Sequence, residues 1–175
     1  MIVLPYRGKR PKVGKGSYVS DNVTLIGDVE IGEDCSIWFG TVLRGDIHSI
    51  RIGARTNIQD NCVVHVTARS WPVSIAEEVT IGHGAIAHGC TIERGALIGM
   101  GSRVLDGAVV GEGALVGAGA LVAEGMRVPA RTLVVGVPAR VKRPLTPEEV
   151  ERLDQSWRHY VEYKNAYLRE LKIDN

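Results

Sequence analysis

Residues 86–134 read IAHGCTIERGALIGMGSRVLDGAVVGEGALVGAGALVAEGMRVPARTLV and contain a regular six-residue repeat. Every sixth residue from Ile86 to Val134 is a branched aliphatic, and a glycine stands three residues after each of the first seven. Six residues are too few for a helical repeat but suit a short strand and a sharp turn, because glycine tolerates positive φ. The pattern predicts a hexapeptide β-helix whose strands close triangular coils of about 18 residues.

The same period runs through the first third of the chain in a shifted phase. Its members are Val13, Val19, Leu25, Ile31, Ile37, Leu43, Ile52, Ile58 and Val64. Insertions are therefore expected at about 44–51 and about 66–80, and the repeat is expected to end near Val141. Aromatic residues make up only 5% of the chain, with a single Phe, which agrees with a narrow interior filled by aliphatic side chains.

The C-terminal segment predicts a helix. Thr146 reads as an N-cap, Pro147 as the first helical residue and Glu149 as the capping-box partner. We expect two units: residues 1–145 as the β-helix domain and residues 146–172 as an α-helix packed on it.

Composition narrows the range of functions. Lys and Arg total 21 against 20 Asp and Glu, a net charge of +1 that gives no reason to expect a nucleic-acid partner. No stretch approaches the roughly 18 apolar residues of a membrane span. The three cysteines, Cys35, Cys62 and Cys90, include no CxxC pair. A reducing, cytoplasmic location is therefore expected.

Three of the five histidines fall within one insertion-bearing coil. His65 and His88 are spaced to lie roughly one coil apart on the same side, where neutral imidazoles suit a divalent metal such as zinc. The side chain of His83 should project from a different corner of the triangular coil. A threefold ring would bring that corner to a neighbouring subunit, so the spacing predicts metal sites shared between subunits.

Polar residues upstream of this cluster add to the candidate site. Gln59 occupies the position in its hexapeptide that His65 occupies in the next, and a neutral amide could hydrogen-bond a metal-bound hydroxide. Arg44 and Asp60 carry opposite charges and could form a fixed ion pair.

Taken in order, these residues resemble the gamma-class carbonic anhydrases over nearly the whole chain. The resemblance is carried by Arg44-Gly45-Asp46, Asn57-x-Gln59-Asp60, His65 and His83-x4-His88, together with the GVPAR segment at residues 136–140 and the terminal helix. The GVPA part is shared with hexapeptide acyltransferases. The resemblance implies a left-handed parallel β-helix that forms a homotrimer.

The resemblance also implies roles for the site residues and a reaction. His65 and His88 of one subunit and His83 of the next would bind zinc, and Arg44 would pair with Asp60 across the interface. Gln59 would position the zinc hydroxide, with Asp46 and Asn57 in its supporting network. The reaction implied is the reversible hydration of CO2 to bicarbonate.

The sequence differs from the best-studied members of that family at the positions that carry protons away from their metal site. Ile47 stands where those members carry an acidic residue, and residues 66–72 contain no carboxylate in place of their acidic loop. No proton shuttle is identified, and activity is expected to be weak or conditional, as in the shorter subclass. Fe(II) and Co(II) accept the same three-histidine ligand set as zinc.

Two other functions remain open from the sequence. A hexapeptide acyltransferase or thioesterase using coenzyme A would need one histidine as a base and no metal cluster. A non-catalytic trimeric scaffold would hold a structural metal, although structural zinc sites are usually closed and three histidines leave one position open.

Overall fold

A computed structural model describes residues 1–171 of the 175-residue chain. Over that range the chain is a β-solenoid of about seven turns with a single helix at its C-terminal end, consistent with the predicted left-handed β-helix of hexapeptide repeats. Residue 172, the last of the predicted helical segment, lies outside the described residues.

The strands are short, as a hexapeptide repeat requires. The first ten are β1 (Ile2–Leu4), β2 (Lys12–Val13), β3 (Tyr18–Val19), β4 (Thr24–Ile31), β5 (Ser36–Ile37), β6 (Val42–Ile52), β7 (Asn57–Ile58), β8 (Val63–His65), β9 (Val73–Ile75) and β10 (Thr80–Ile81). The second ten are β11 (Ile86–His88), β12 (Thr91–Ile92), β13 (Leu97–Ile98), β14 (Arg103–Val104), β15 (Val109–Val110), β16 (Leu115–Val116), β17 (Leu121–Val122), β18 (Arg127–Val128), β19 (Thr132–Val135) and β20 (Arg140–Pro144).

Parallel pairing sorts the strands into three faces of a prism. The first face runs β3, β5, β7, β10, β13, β16 and β19. The second contains β1, the first halves of β4 and β6, and then β8, β11, β14 and β17. The third contains β2, the second halves of β4 and β6, and then β9, β12, β15 and β18.

The aliphatic column fills the interior from Leu25 onward with one correction, whereas Val13 in the first coil, predicted to point inward, is 42% exposed. From Ile92 to Val134 every member is buried. Ile86, however, is only half-buried, and its neighbour Ala87 is the inward residue, paired in register with Val64 and Val104. The coil that follows is therefore 17 residues long, as the pairing of Ala87 with Val104 shows. Because Ile86 and Ala87 are both apolar, either could be the inward residue, and counting in sixes along the sequence does not show that this coil is one residue short.

The insertions are smaller than predicted. The first lies inside β6, where the pairing of Ile31 with Ile52 adds three residues to an 18-residue coil. The second adds five residues, as the pairing of Ile58 with Ile81 shows. It occupies residues 66–72, and the rest of the predicted 66–80 segment consists of strand β9, a turn and the first residue of β10.

The repeat of parallel strands ends before Val141, the residue near which the sequence predicted its end. Strand β20 turns back and pairs antiparallel with β19. The last parallel contact on this face is therefore between β16 and β19, whose final residue is Val135.

The helix α1 (Pro147–Glu170) begins as its sequence predicts and covers the first face. Thr146 is the N-cap, and its hydroxyl accepts the backbone N–H of Glu149 while the Glu149 side chain accepts the Thr146 N–H. The helix contacts β3, β5, β7 and β10. Trp38 packs edge-on against Tyr160 and Tyr167 from the helix. No helix within residues 1–171 is both long and apolar enough to cross a lipid bilayer.

We expect the packed column to dominate stability. Ile98 is completely buried, so Ile98→Ala should lower the free energy of unfolding by about 2–5 kcal/mol through lost burial and a residual cavity. Val150 on the helix is 41% exposed, and Val150→Ala should change stability by less than about 0.5 kcal/mol. Denaturant unfolding followed by circular dichroism measures both, and equal effects would contradict a solid interior.

Candidate metal centre

His65 and His88 end two neighbouring strands of the second face. Strands β8 and β11 pair in register with His65 opposite His88, which puts both imidazoles on the outer surface one above the other. The Nδ1 atom of His65 lies 3.0 Å from Nε2 of His88. The predicted stacking of these two side chains is therefore present in the chain.

A carboxylate holds the second nitrogen of each ring. Nε2 of His65 lies 3.2 Å from Oδ1 of Asp46, and Nδ1 of His88 lies 2.5 Å from Oδ1 of Asp106. Metal-bound histidines commonly donate their other N–H to a carboxylate in this way. Two ligand nitrogens on tetrahedral zinc, with bonds of about 2.0–2.1 Å, lie about 3.3 Å apart. The pair thus fits a divalent metal as two of its ligands.

Burial favours the neutral imidazole that a metal requires. It lowers the pKa of His65, although the hydrogen bond to Asp46 acts in the opposite direction. For Asp46, burial alone would raise the pKa, but hydrogen bonds from Arg44 and His65 outweigh it and the pKa lies below its usual value. Asp46 is therefore a carboxylate, able to accept the N–H of His65, at neutral pH.

Arg44 binds Asp46 within the chain. Its Nη1 lies 2.6 Å from Oδ2 of Asp46, and the Arg44 side chain remains 42% exposed. The predicted partner, Asp60, contacts His83 instead, with Oδ2 2.7 Å from Nδ1. Because the predicted Arg44–Asp60 pair joins two subunits, the single chain does not test it and it stays a prediction.

His83 belongs to a second polar group, at the corner between the first and second faces. Its backbone N–H donates to Oε1 of Gln59 at 3.2 Å, and Nε2 of Gln59 donates to Oδ1 of Asn57 at 3.2 Å. Asn57 in turn donates to the Thr80 hydroxyl at 2.9 Å. Gln59 and Asn57 are buried, so this network fixes the turn that presents His83.

The eight predicted site residues thus form two groups at opposite edges of the second face. Arg44, Asp46, His65 and His88 lie where its strands end, while Asn57, Gln59, Asp60 and His83 lie at the corner where they begin. A three-residue strand separates the edges by about 10 Å. Within residues 1–171, no three His, Cys, Asp or Glu side chains meet closely enough to hold a metal.

Sequence reasoning missed Asp106 and Thr67. The Thr67 hydroxyl donates to Oδ2 of Asp106 at 2.6 Å. Burial alone would raise the pKa of Asp106, but the hydrogen bonds from Thr67 and His88 outweigh it and lower that pKa. A signal was available, because His88 and Asp106 each stand directly before a glycine of the same column, Gly89 and Gly107.

Comparison with known proteins indicates the same protein family as the sequence motifs. Residues 10–45 and 89–124 match the bacterial transferase hexapeptide (six repeats) family. A carbonic anhydrase of Geobacillus kaustophilus is 45% identical over 98% of this chain and 93% of its own. Gamma carbonic anhydrase 2, mitochondrial, of Arabidopsis thaliana is 43% identical over 93% of this chain and 60% of its own. This chain belongs to the gamma-class carbonic anhydrase family.

Solved structures with the same fold also include a protein named as a hexapeptide transferase. A hexapeptide transferase family protein from Anaplasma phagocytophilum superposes with a TM-score of 0.92 at 43% identity, covering 95% of this chain and 98% of that one. The solenoid is therefore common to proteins of both names, and the side chains on it must distinguish their chemistry.

The three cysteine side chains belong to the buried core of the solenoid. Burial raises the pKa of the Cys35 and Cys62 thiols to about 11 and that of Cys90 to about 12. All three are free and buried. They fill the interior as small apolar residues.

Proposed function

We propose that the protein catalyses the reversible hydration of CO2 to bicarbonate at divalent metal sites shared between the subunits of a homotrimer. The metal is zinc, or Fe(II) or Co(II), bound by His65 and His88 of one subunit and His83 of the next. The observation that carries the proposal is the His65–His88 pair, whose nitrogens lie 3.0 Å apart with a carboxylate on each ring.

The arrangement of the two polar groups supports sharing. His83 is 47% exposed and lies at the opposite edge of the second face from His65 and His88. A heterologous contact around a threefold axis brings one edge of a subunit to the other edge of its neighbour. The same contact would bring Arg44 to Asp60.

The second face also carries apolar side chains suited to an interface. Val42, Val63 and Ile86 point outward in register on adjacent strands, and Val63 is 38% exposed. Met100, stacked on the His83 corner through a hydrogen bond from Gly101 N to His83 O, is 59% exposed. Exposed apolar groups in one patch are typical of a protein contact surface.

The bound metal would supply a water of lowered pKa, about 7 with zinc, as the nucleophile toward CO2. The chain's own residues would fix the geometry: Asp46 orients His65, and Asn57 holds Gln59, whose amide can position the reacting water without taking its proton. The proposed compartment is the cytoplasm, because the three cysteines are free.

The test is metal analysis coupled to stopped-flow CO2 hydration on anaerobically purified protein, with zinc, Fe(II) and Co(II) as separate arms. The proposal requires about one metal per subunit and hydration that disappears on chelation. Metal without hydration would favour the scaffold function. Metal-independent acyl transfer from coenzyme A thioesters would favour the acyltransferase function, which the Anaplasma neighbour's name supports.

We expect proton release to limit turnover. Residues 66–72 lack a carboxylate and Ile47 is apolar, so imidazole buffer should raise kcat while leaving kcat/KM, which reports attack on CO2, nearly unchanged. Turnover at low and high buffer concentration, at constant ionic strength and pH, measures this. Fast, buffer-independent turnover would contradict it and show that the chain has its own shuttle.

His48 is the residue to replace in that case. Its Nδ1 accepts the Ser49 backbone N–H at 2.8 Å, so a neutral ring carries its proton on Nε2. His48 and Asp46 line the same surface cleft of about 490 Å³. His48→Ala would then lower kcat at low buffer, and added imidazole would restore it.

A further inference from the structure

Residues 66–72, the second insertion, form a closed turn beside the metal centre. Thr67 and Trp71 make a two-way backbone pairing, with Thr67 N donating to Trp71 O at 2.9 Å and Trp71 N donating to Thr67 O at 3.2 Å. Arg69 at the tip has φ +63°, a left-handed turn conformation. The insertion is therefore a defined loop that holds Thr67 and Trp71 side by side.

Trp71 packs this loop against the corner of the solenoid that follows His88. A Cβ at Gly89 would lie 2.8 Å from the Trp71 Cβ, and one at Gly107 would lie 3.0 Å from its indole ring. These two glycines stack in adjacent coils, with Gly107 N donating to Gly89 O at 2.8 Å. The absence of side chains there lets the tryptophan rest directly against the backbone.

Thr67 connects the fastened loop to the histidine. Its hydroxyl donates to Oδ2 of Asp106 at 2.6 Å, and the other oxygen of Asp106 lies 2.5 Å from Nδ1 of His88. Hydrogen bonds to Thr67 at one oxygen and to His88 at the other leave the Asp106 carboxylate little freedom to rotate. Asp106 thus sets both the ring orientation and the tautomer of His88, with Nε2 unprotonated and directed at His65.

We infer that Thr67, Trp71 and Asp106 are positioning residues for the metal: the loop at residues 66–72 holds Asp106, and Asp106 holds His88 in its ligating orientation. This inference rests on the proposed function, since it assumes that His88 is a ligand. It gives the carboxylate-free insertion a role in metal retention.

The experiment measures the dissociation constants of zinc and Co(II) by chelator competition. Asp106→Asn should weaken binding by about 10- to 100-fold, the range for loss of a carboxylate behind a ligand histidine. Thr67→Val and Trp71→Ala should weaken it in the same direction, and Thr67→Ser, which keeps the hydroxyl, should restore wild-type affinity. Asp154→Asn, on the exposed surface of α1, is the matched control.

The visible spectrum of the Co(II) protein gives a second readout. A positioning role predicts that Asp106→Asn shifts the cobalt bands at full occupancy, whereas a merely structural carboxylate would leave them unchanged. If Asp106→Asn proves too unstable to study, the Thr67→Val and Thr67→Ser pair carries the comparison, because each differs little from Thr in size.

The outcomes separate this inference from the proposed function. Wild-type affinity and spectrum in Asp106→Asn, with metal lost in His88→Ala, would overturn the positioning role and leave the proposed metal site intact. Full metal retention in His88→Ala would instead show that the proposed metal function is wrong.

Discussion

His83→Ala is expected to empty the metal centre while leaving the solenoid folded. In the proposed site His83 is the ligand that the neighbouring subunit supplies, so its removal leaves the two-nitrogen pair of His65 and His88. The loss of affinity should exceed the roughly 100-fold that removal of an outer hydrogen-bond partner causes. Elemental analysis should give about one metal per subunit for the wild type and almost none for the variant.

His159→Ala provides the control for this result. His159 lies on the helix, where its ring stacks near Tyr163 with centroids 6.3 Å apart, and its loss should leave occupancy unchanged. Full metal retention in His83→Ala would refute the shared site. Occupancy should also fall at acidic pH, because protons compete with the metal for neutral imidazoles.

Arg44→Ala is expected to loosen the trimer and release its metal. If Arg44 and Asp60 form a buried pair between subunits, removing one partner leaves a buried charge unpaired, which typically costs about 3–5 kcal/mol. Light scattering over a range of protein concentrations should show dissociation at concentrations where the wild type stays trimeric. Far-UV circular dichroism should not change, since each coil is stabilised by its neighbours in the same chain.

A double-mutant cycle separates this pair from the contact that Arg44 makes within the chain. Arg44 also binds Asp46 at 2.6 Å, so the single variant disturbs both carboxylates. If the intersubunit pair exists, Arg44→Ala and Asp60→Ala together should weaken the trimer by less than the sum of their separate effects. Arg158→Ala, which removes an exposed helical ion pair, is the control. An intact, fully metallated trimer for Arg44→Ala would contradict the pairing.

The solenoid could be predicted from sequence because every hexapeptide contains one aliphatic residue that points inward and one turn. The prediction was wrong about Ile86 because Ala87 beside it is also apolar and a shortened coil leaves the residue types unchanged. The size of the second insertion was overestimated for a related reason. Val73 and Ile75 form a short strand, and three residues are too few for periodicity to register.

The candidate site was predictable only in part. His65 and His88 could be placed together because their separation is one coil plus one insertion. Asp106 and Thr67 were missed because an Asp before Gly is an ordinary turn sequence and the search for carboxylates was confined to the insertion. Whether Arg44 meets Asp60 depends on a second subunit, and no spacing within one chain determines the contacts of an interface.

The antiparallel turn of β20 onto β19 has a consequence for how copies of this protein can associate. A parallel solenoid ends in bare strand edges, which act as templates for end-to-end polymerisation. Here the first face ends in a strand that runs the wrong way to continue the stack and carries Arg140, Lys142, Arg143 and Pro144 along its exposed length. Such charges and a proline discourage edge pairing, so growth into a fibre along the prism axis is blocked at this face, and the sides of the prism remain for assembly.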